Sequence, residues 1–121
     1  MTPLVVIAVG LVGGVGALAR FLLDGAVASR LASPFPYGTF VVNVSGALLL
    51  GLVVGLGASH DTVRIAGTGA IGAYTTFSTW MLESHRLAEE GQARVAVTNV
   101  VVSLAAGILA VWAGRELGGM L

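Results

Sequence analysis

Four runs of about 20 mostly apolar residues divide this chain, and that is the length a helix needs to cross a hydrocarbon core about 30 Å thick. The runs lie at about 4–23, 38–57, 65–86 and 95–113, with short polar connectors between them. No water reaches the backbone in lipid, so each run is expected to satisfy its peptide groups internally, as a helix. Of the 121 residues, 56% are hydrophobic and only 10% charged, whereas a soluble domain has about 25% charged residues. The expectation is an all-α integral membrane protein, a single four-helix domain over residues 1–121. Net charge is zero, which leaves no basic patch for phosphates and argues against nucleic-acid binding. Cysteine is absent, so thiolate catalysis and cysteine metal sites are excluded. Met1-Thr2-Pro3 places no basic side chain ahead of the first run, so that run reads as a retained span rather than a signal peptide.

Small residues recur at helical spacing in three of the runs. Gly10, Gly14 and Ala17 share a face of the first; Asn43, Ala47, Gly51 and Gly55 form a stripe on the second, extended back by Thr39; Asn99, Ser103, Gly107, Ala110 and Gly114 form one on the fourth. Such spacing lets helices approach closely in lipid. Two side chains have two readings each. Arg20, near the end of the first run, either snorkels to the headgroups or attracts anions at a pore mouth. Asn43 either makes an interhelical hydrogen bond or offers its amide N–H to an aqueous cavity. The connector 24–37 is expected to be a loop with a short interfacial turn, His60 and Asp61 to lie in a solvated loop, and His85 to end the third helix.

The third run is the least regular. Gly67-Thr68-Gly69-Ala70-Ile71-Gly72 matches a dinucleotide-binding fingerprint, but that motif requires a preceding strand and a βαβ unit, so here it reads as glycine-rich helix packing. The succession Gly72-Ala73-Tyr74-Thr75-Thr76 is a poor helix former and predicts a break in mid-span. A break frees carbonyls, which survive at membrane depth only against protein or a water-filled cavity and suit a hard cation. Beyond it, Phe77 and Trp80 share a face with Ser84, while Thr76, Thr79 and Glu83 share the neighbouring one. Hydroxyls and a carboxylate beside aromatics inside a span point to a lined pathway.

An even number of spans puts both termini on one side with Arg64 and Arg115; Arg30, Arg86 and Arg94 lie on the other, with Arg20 near its edge. That bias is too small to fix orientation, and four short helices enclose little volume, so an oligomer is expected, in the first instance a dimer, with parallel and antiparallel arrangements both open.

The stretches Gly13-Gly14-Val15-Gly16-Ala17-Leu18-Ala19-Arg20, Gly38-Thr39-Phe40-Val41-Val42-Asn43-Val44-Ser45-Gly46 and Gly72-Ala73-Tyr74-Thr75-Thr76-Phe77-Ser78-Thr79-Trp80, with Glu83, resemble the CrcB/Fluc family of fluoride channels. The resemblance runs through all four spans in order. It implies a dual-topology antiparallel homodimer with two pores in the cytoplasmic membrane, exporting fluoride passively. It further implies that Asn43 is the pore-lining amide, that Phe77 turns its positive ring edge to the anion, that Ser78 and Thr79 belong to a hydroxyl track, and that Arg20 sits at the vestibule. Thr39, Trp80 and Glu83 complete the expected fluoride pathway, Glu83 being hydrogen-bonded beside the track. The Gly72 and Thr75 carbonyls are implied to supply half of a structural Na⁺ site at the dimer interface. The chain departs from the family pattern at Trp80, usually Phe, where the indole adds bulk and an N–H donor, and at Asn99, usually Tyr. These departures leave open a heterodimer with a paralogue.

The rival readings are weaker. A small multidrug-resistance transporter needs a carboxylate in the first span, and none lies in 4–23. A non-conducting subunit would lack the amide or the Thr-rich break, and both are present. An enzyme would need a nucleophile–base pair or metal cluster, and no such set lies at membrane depth.

Overall fold

The computed structural model describes residues 2–121 and is helical throughout. Helix α1 spans Pro3–Arg30, α2 spans Tyr37–Gly55, and a short α3, His60–Thr62, leads into a π-helical stretch, Val63–Ile71. A one-turn helix α4, Gly72–Tyr74, ends at the break; α5, Phe77–Glu89, and α6, Ala93–Met120, complete the chain. Helices α1, α2 and α6 are each long and apolar enough to cross a membrane. The third span is assembled from the π-helical stretch, α4 and α5.

Local chemistry sets these limits. Pro3 opens α1, where a missing N–H costs nothing, and Thr2 Oγ1 caps it by accepting from Val5 N at 3.3 Å. The first helix does not stop near residue 23. It runs on to Arg30, because Ala26 and Ala28 favour helix and no proline interrupts it; the chain turns only at Leu31, ahead of Pro34 and Pro36. Asp24 is therefore helical, not a loop residue. Likewise α5 continues past His85 to Glu89. It closes with Gly91 at φ 78, where Gln92 N donates to Leu87 O and Gly91 N to Ala88 O, the paired bonds of a Schellman stop. Helix α6 extends seven residues beyond the expected limit at 113. At 28 residues each, α1 and α6 are about 42 Å long. His60 and Asp61 are exposed as expected, Asp61 pairing with Arg64 at 3.7 Å.

The interior mixes apolar and polar side chains. The most deeply buried side chains are Val42, Asn99 and Thr39, while α1 and α6 expose Leu4, Ile7, Leu11, Leu18, Phe21, Val101, Ile108 and Leu109. This is the distribution expected where lipid is the outer solvent and polar groups must find partners inside. Glycine makes the helix contacts possible. A Cβ on Gly51 would strike the Val111 carbonyl, one on Gly55 the Arg115 carbonyl, and one on Gly114 the Leu48 carbonyl, so α2 and α6 touch backbone to backbone. The π-helical stretch lies on α1 in the same way: a Cβ on Gly16 would strike the Ala70 carbonyl, and one on Gly69 would stand 3.0 Å from the Val9 carbonyl. The glycine-rich hexapeptide is thus packing surface, as its sequence suggested. In the first helix, however, the packed glycines are Gly13 and Gly16; a Cβ on Gly10 or Gly14 would meet nothing within 4 Å. The third span changes partner at its break, lying on α1 before it and on α6 after it, with α2 behind.

Gly114→Val is expected to force α2 from α6 and to cost about 1–3 kcal/mol, whereas Gly107→Ala, which meets nothing within 4 Å, is expected to be neutral. Thermal unfolding of the two variants in detergent, followed by gel filtration, measures the difference.

Candidate functional site

Two residues make the break. Thr75 (φ −81, ψ 159) and Thr76 (φ −145, ψ 120) are extended, a conformation that β-branched side chains favour. The break is narrower than the sequence indicated, because Gly72, Ala73 and Tyr74 remain helical. Leaving the helix orphans peptide groups in a span, and those of Thr76 and Thr79 find side-chain partners. Asn43, on α2, reaches across as a surrogate peptide: its Oδ1 accepts from Thr76 N at 2.8 Å and its Nδ2 donates to Thr76 O at 2.8 Å. Thr76 Oγ1 then caps α5 by accepting from Thr79 N at 3.2 Å. Thr75 Oγ1 turns back to donate to the Ile71 carbonyl at 3.0 Å.

The break takes the helical donors from the carbonyls of residues 72–75, and for two of these the lost donor has gone to a side chain. The donor due to Gly72 O is Thr76 N, which Asn43 has taken; the donor due to Thr75 O is Thr79 N, which Thr76 Oγ1 has taken. Gly46 lets the break lie flat on α2, since a Cβ there would strike the Thr75 methyl and come within 3.3 Å of the Tyr74 ring. Tyr74 Oη and Ser45 Oγ, 2.8 Å apart, fasten the other edge.

Asn43, Thr75, Thr76, Phe77 and Trp80 line one wall of an open groove of about 670 Å³ that runs past Gly107 to Trp112 and Arg115. Phe77 is 69% exposed and meets Trp80 edge to face, with centroids 5.8 Å apart and an interplanar angle of 82°, the geometry that the ring quadrupoles favour. The Trp80 indole N–H donates to the Asn99 carbonyl at 3.1 Å. It is therefore committed, not the spare donor that the sequence offered.

The remaining predicted residues do not line this groove. Thr39 is 2% exposed and donates through Oγ1 to Glu83 Oε1 at 2.6 Å. That pair lies about 9 Å further along α5, where Glu83 lines a second cavity of about 320 Å³ with Asp24, Tyr37, Arg86 and Glu90. Ser78 is exposed and Thr79 half-buried; both hydroxyls neighbour Thr76 Oγ1, at 3.4 and 3.1 Å. Arg20 is partly exposed on α1 and lines neither cavity. Sequence reasoning missed Thr76 as a cap and Gly46 as the floor of the break. A Thr three residues before Thr79 at a helix start is a readable capping signal; the Gly46 contact depends on tertiary approach and has none.

A family model described as CrcB-like protein, Camphor Resistance (CrcB), matches residues 7–115. The chain is 52% identical over 120 residues to a fluoride-specific ion channel FluC 2 of Mycolicibacterium paratuberculosis, covering 99% of this chain and 98% of the relative. It is 51% identical over 115 residues to a fluoride-specific ion channel FluC 2 of Mycobacterium tuberculosis, covering 95% and 91%. A fluoride-specific ion channel FluC 1 of Leifsonia xyli subsp. xyli is 46% identical over 124 residues, covering 99% and 90%.

Asn43→Ala leaves the Thr76 N–H and C=O without partners, at about 1–3 kcal/mol for each group left unsatisfied. Asn43→Asp keeps the acceptor and loses the donor, so its melting temperature in detergent is expected to fall between those of wild type and Asn43→Ala.

Proposed function

This chain belongs to the CrcB family, and from that footing we infer that it is a fluoride-selective channel of the cytoplasmic membrane, passing fluoride passively out of the cell and so giving fluoride resistance. The observation that carries the reading is the break pinned by Asn43 with Phe77 and Trp80 beside it on one groove. Fluoride is small and strongly hydrated, so a pathway must replace its water with donors. A carboxamide nitrogen has two hydrogens; Asn43 gives one to Thr76 and keeps one for the anion. Phe77 adds the positive edge of its ring. Ser78 and Thr79 continue the donor track, Thr39 and Glu83 extend the pathway at its far end, and Arg20 draws anions to a vestibule.

The channel works as an antiparallel dimer of dual topology. Support comes from the open groove, the exposed Phe77 and the near-balanced arginines at the two ends. Gly72 and Thr75 would hold Na⁺ at the dimer interface, two carbonyls from each subunit. Their lost helical donors and the hardness of carbonyl oxygen both fit that ion. A bound cation there would offset the cost of bringing an anion into a low dielectric. A second reading, a heterodimer with a paralogue, is favoured by Trp80 and Asn99 and by the numbers 1 and 2 in the relatives' names.

Liposomes containing this protein alone are expected to release fluoride and retain chloride, as read with ion-selective electrodes, and Phe77→Ile is expected to abolish the release. Folded protein that passes no fluoride alone, and does so when mixed with a paralogue, would replace the homodimer by the heterodimer.

A further inference from the structure

The connector between α1 and α2 separates two cavities of opposite character. On one side it faces the cavity of about 320 Å³ that holds Asp24, Glu83 and Glu90 with one arginine, Arg86. On the other it faces an open groove of about 460 Å³ in which Arg94 is the one charged residue. Among the described residues no carboxylate lines this groove. Phe35 lies 4.9 Å from Tyr37 and 5.6 Å from Phe40, centroid to centroid, with interplanar angles of 54° and 68°, so three rings brace one another. Pro34 and Pro36 stiffen the backbone that carries them. The facing wall is Val95, Thr98 and Val102 of α6. At 3.6 residues per turn that wall points nearly opposite to Leu104, Gly107 and Ile108, which line the Phe77 groove. Arg94 is exposed and immediately precedes the apolar run of α6, which places it at headgroup level. The short charged contacts among the described residues join Asp61 to Arg64 and His85 to Glu89; Arg94 takes part in neither.

We propose that this groove is a binding site for an anionic phospholipid of the surrounding bilayer. The headgroup phosphate pairs with the Arg94 guanidinium, and one acyl chain lies between the Phe35 and Phe40 rings and the Val95–Val102 face of α6, about 10 Å of helix. Charge complementarity selects the occupant. An anion is drawn to the Arg94 side of the connector and repelled by the three carboxylates on the other side. Lipid tails are already the solvent of an apolar membrane surface; the arginine adds the choice of headgroup, as basic pockets between transmembrane helices do. Tyr37, 39% exposed on the rim, is a residue type suited to that depth. A seated lipid fastens the connector to the start of α6, and the site stands independently of what the Phe77 groove conducts.

Native mass spectrometry of the full chain in detergent, with phosphatidylglycerol and phosphatidylcholine of matched chains added in equal amounts, reads the preference. Wild type is expected to retain phosphatidylglycerol over phosphatidylcholine. Arg94→Gln is expected to lower that ratio about fivefold, and Arg94→Lys to keep most of it. Arg30→Gln, at the same end but lining neither cavity, is expected to leave it unchanged. Phe40→Ala is expected to weaken retention of both lipids. An unchanged ratio in Arg94→Gln overturns the proposal, and so does an equal fall in Arg30→Gln, which would assign the preference to the charge of the whole face. Release of bound phosphatidylglycerol by excess inorganic phosphate would identify a soluble anion as the ligand and overturn it too. Gel filtration supplies the last arm: an oligomer that comes apart in both Arg94→Gln and Phe40→Ala would show that a second copy of the chain, not a lipid, fills the groove.

Discussion

The pairing of the Asn43 carboxamide with the backbone of Thr76 is the interaction on which the rest of this structure depends. A helix interrupted at membrane depth leaves peptide groups that lipid cannot satisfy. One side chain supplies both the donor and the acceptor that Thr76 lacks, and Thr76 uses its hydroxyl to start the next helix. Because those N–H groups are now engaged, the Gly72 and Thr75 carbonyls keep their lone pairs free. The break, its cap and its bare carbonyls are consequences of one contact.

The break also redirects the chain. Without it the third span would follow α1 or α6 for its whole length; with it, the span leaves one for the other across the face of α2. Glycine makes both halves possible, with Gly16 and Gly69 on the α1 side and Gly46 beneath the turn. Helix α2 is therefore the one element in contact with α1, α6 and both parts of the third span. That position explains why Thr39 and Val42 are among its most deeply buried residues.

Much of this was legible from the residues. The apolar runs located the spans, and the poor helix formers of residues 72–76 located the break, which the structure narrows to Thr75 and Thr76. The α2 stripe was readable because its small groups survive into the contact with α6, and the α6 stripe was readable at Gly114 but not at Gly107, which meets nothing within 4 Å. The α1 stripe misled, since Gly10, Gly13, Gly14 and Gly16 offer more than one small face and only the shape of the partner selects among them. The end of α1 was misplaced because Asp24 looked like a loop residue, yet one helical carboxylate near the end of a span costs little. The division of the polar residues between two cavities had no signal in one dimension. It follows from how far Glu83 stands from the break along α5, and from which helix Thr39 faces.

The backbone contacts between α2 and α6 also bear on how the protein is made. Gly51 meets Val111 and Gly55 meets Arg115, so the second helix to leave the ribosome finds its closest partner in the last. A chain without α6 would offer α2 no backbone-to-backbone partner, so packing of the four spans is expected to wait on the last helix.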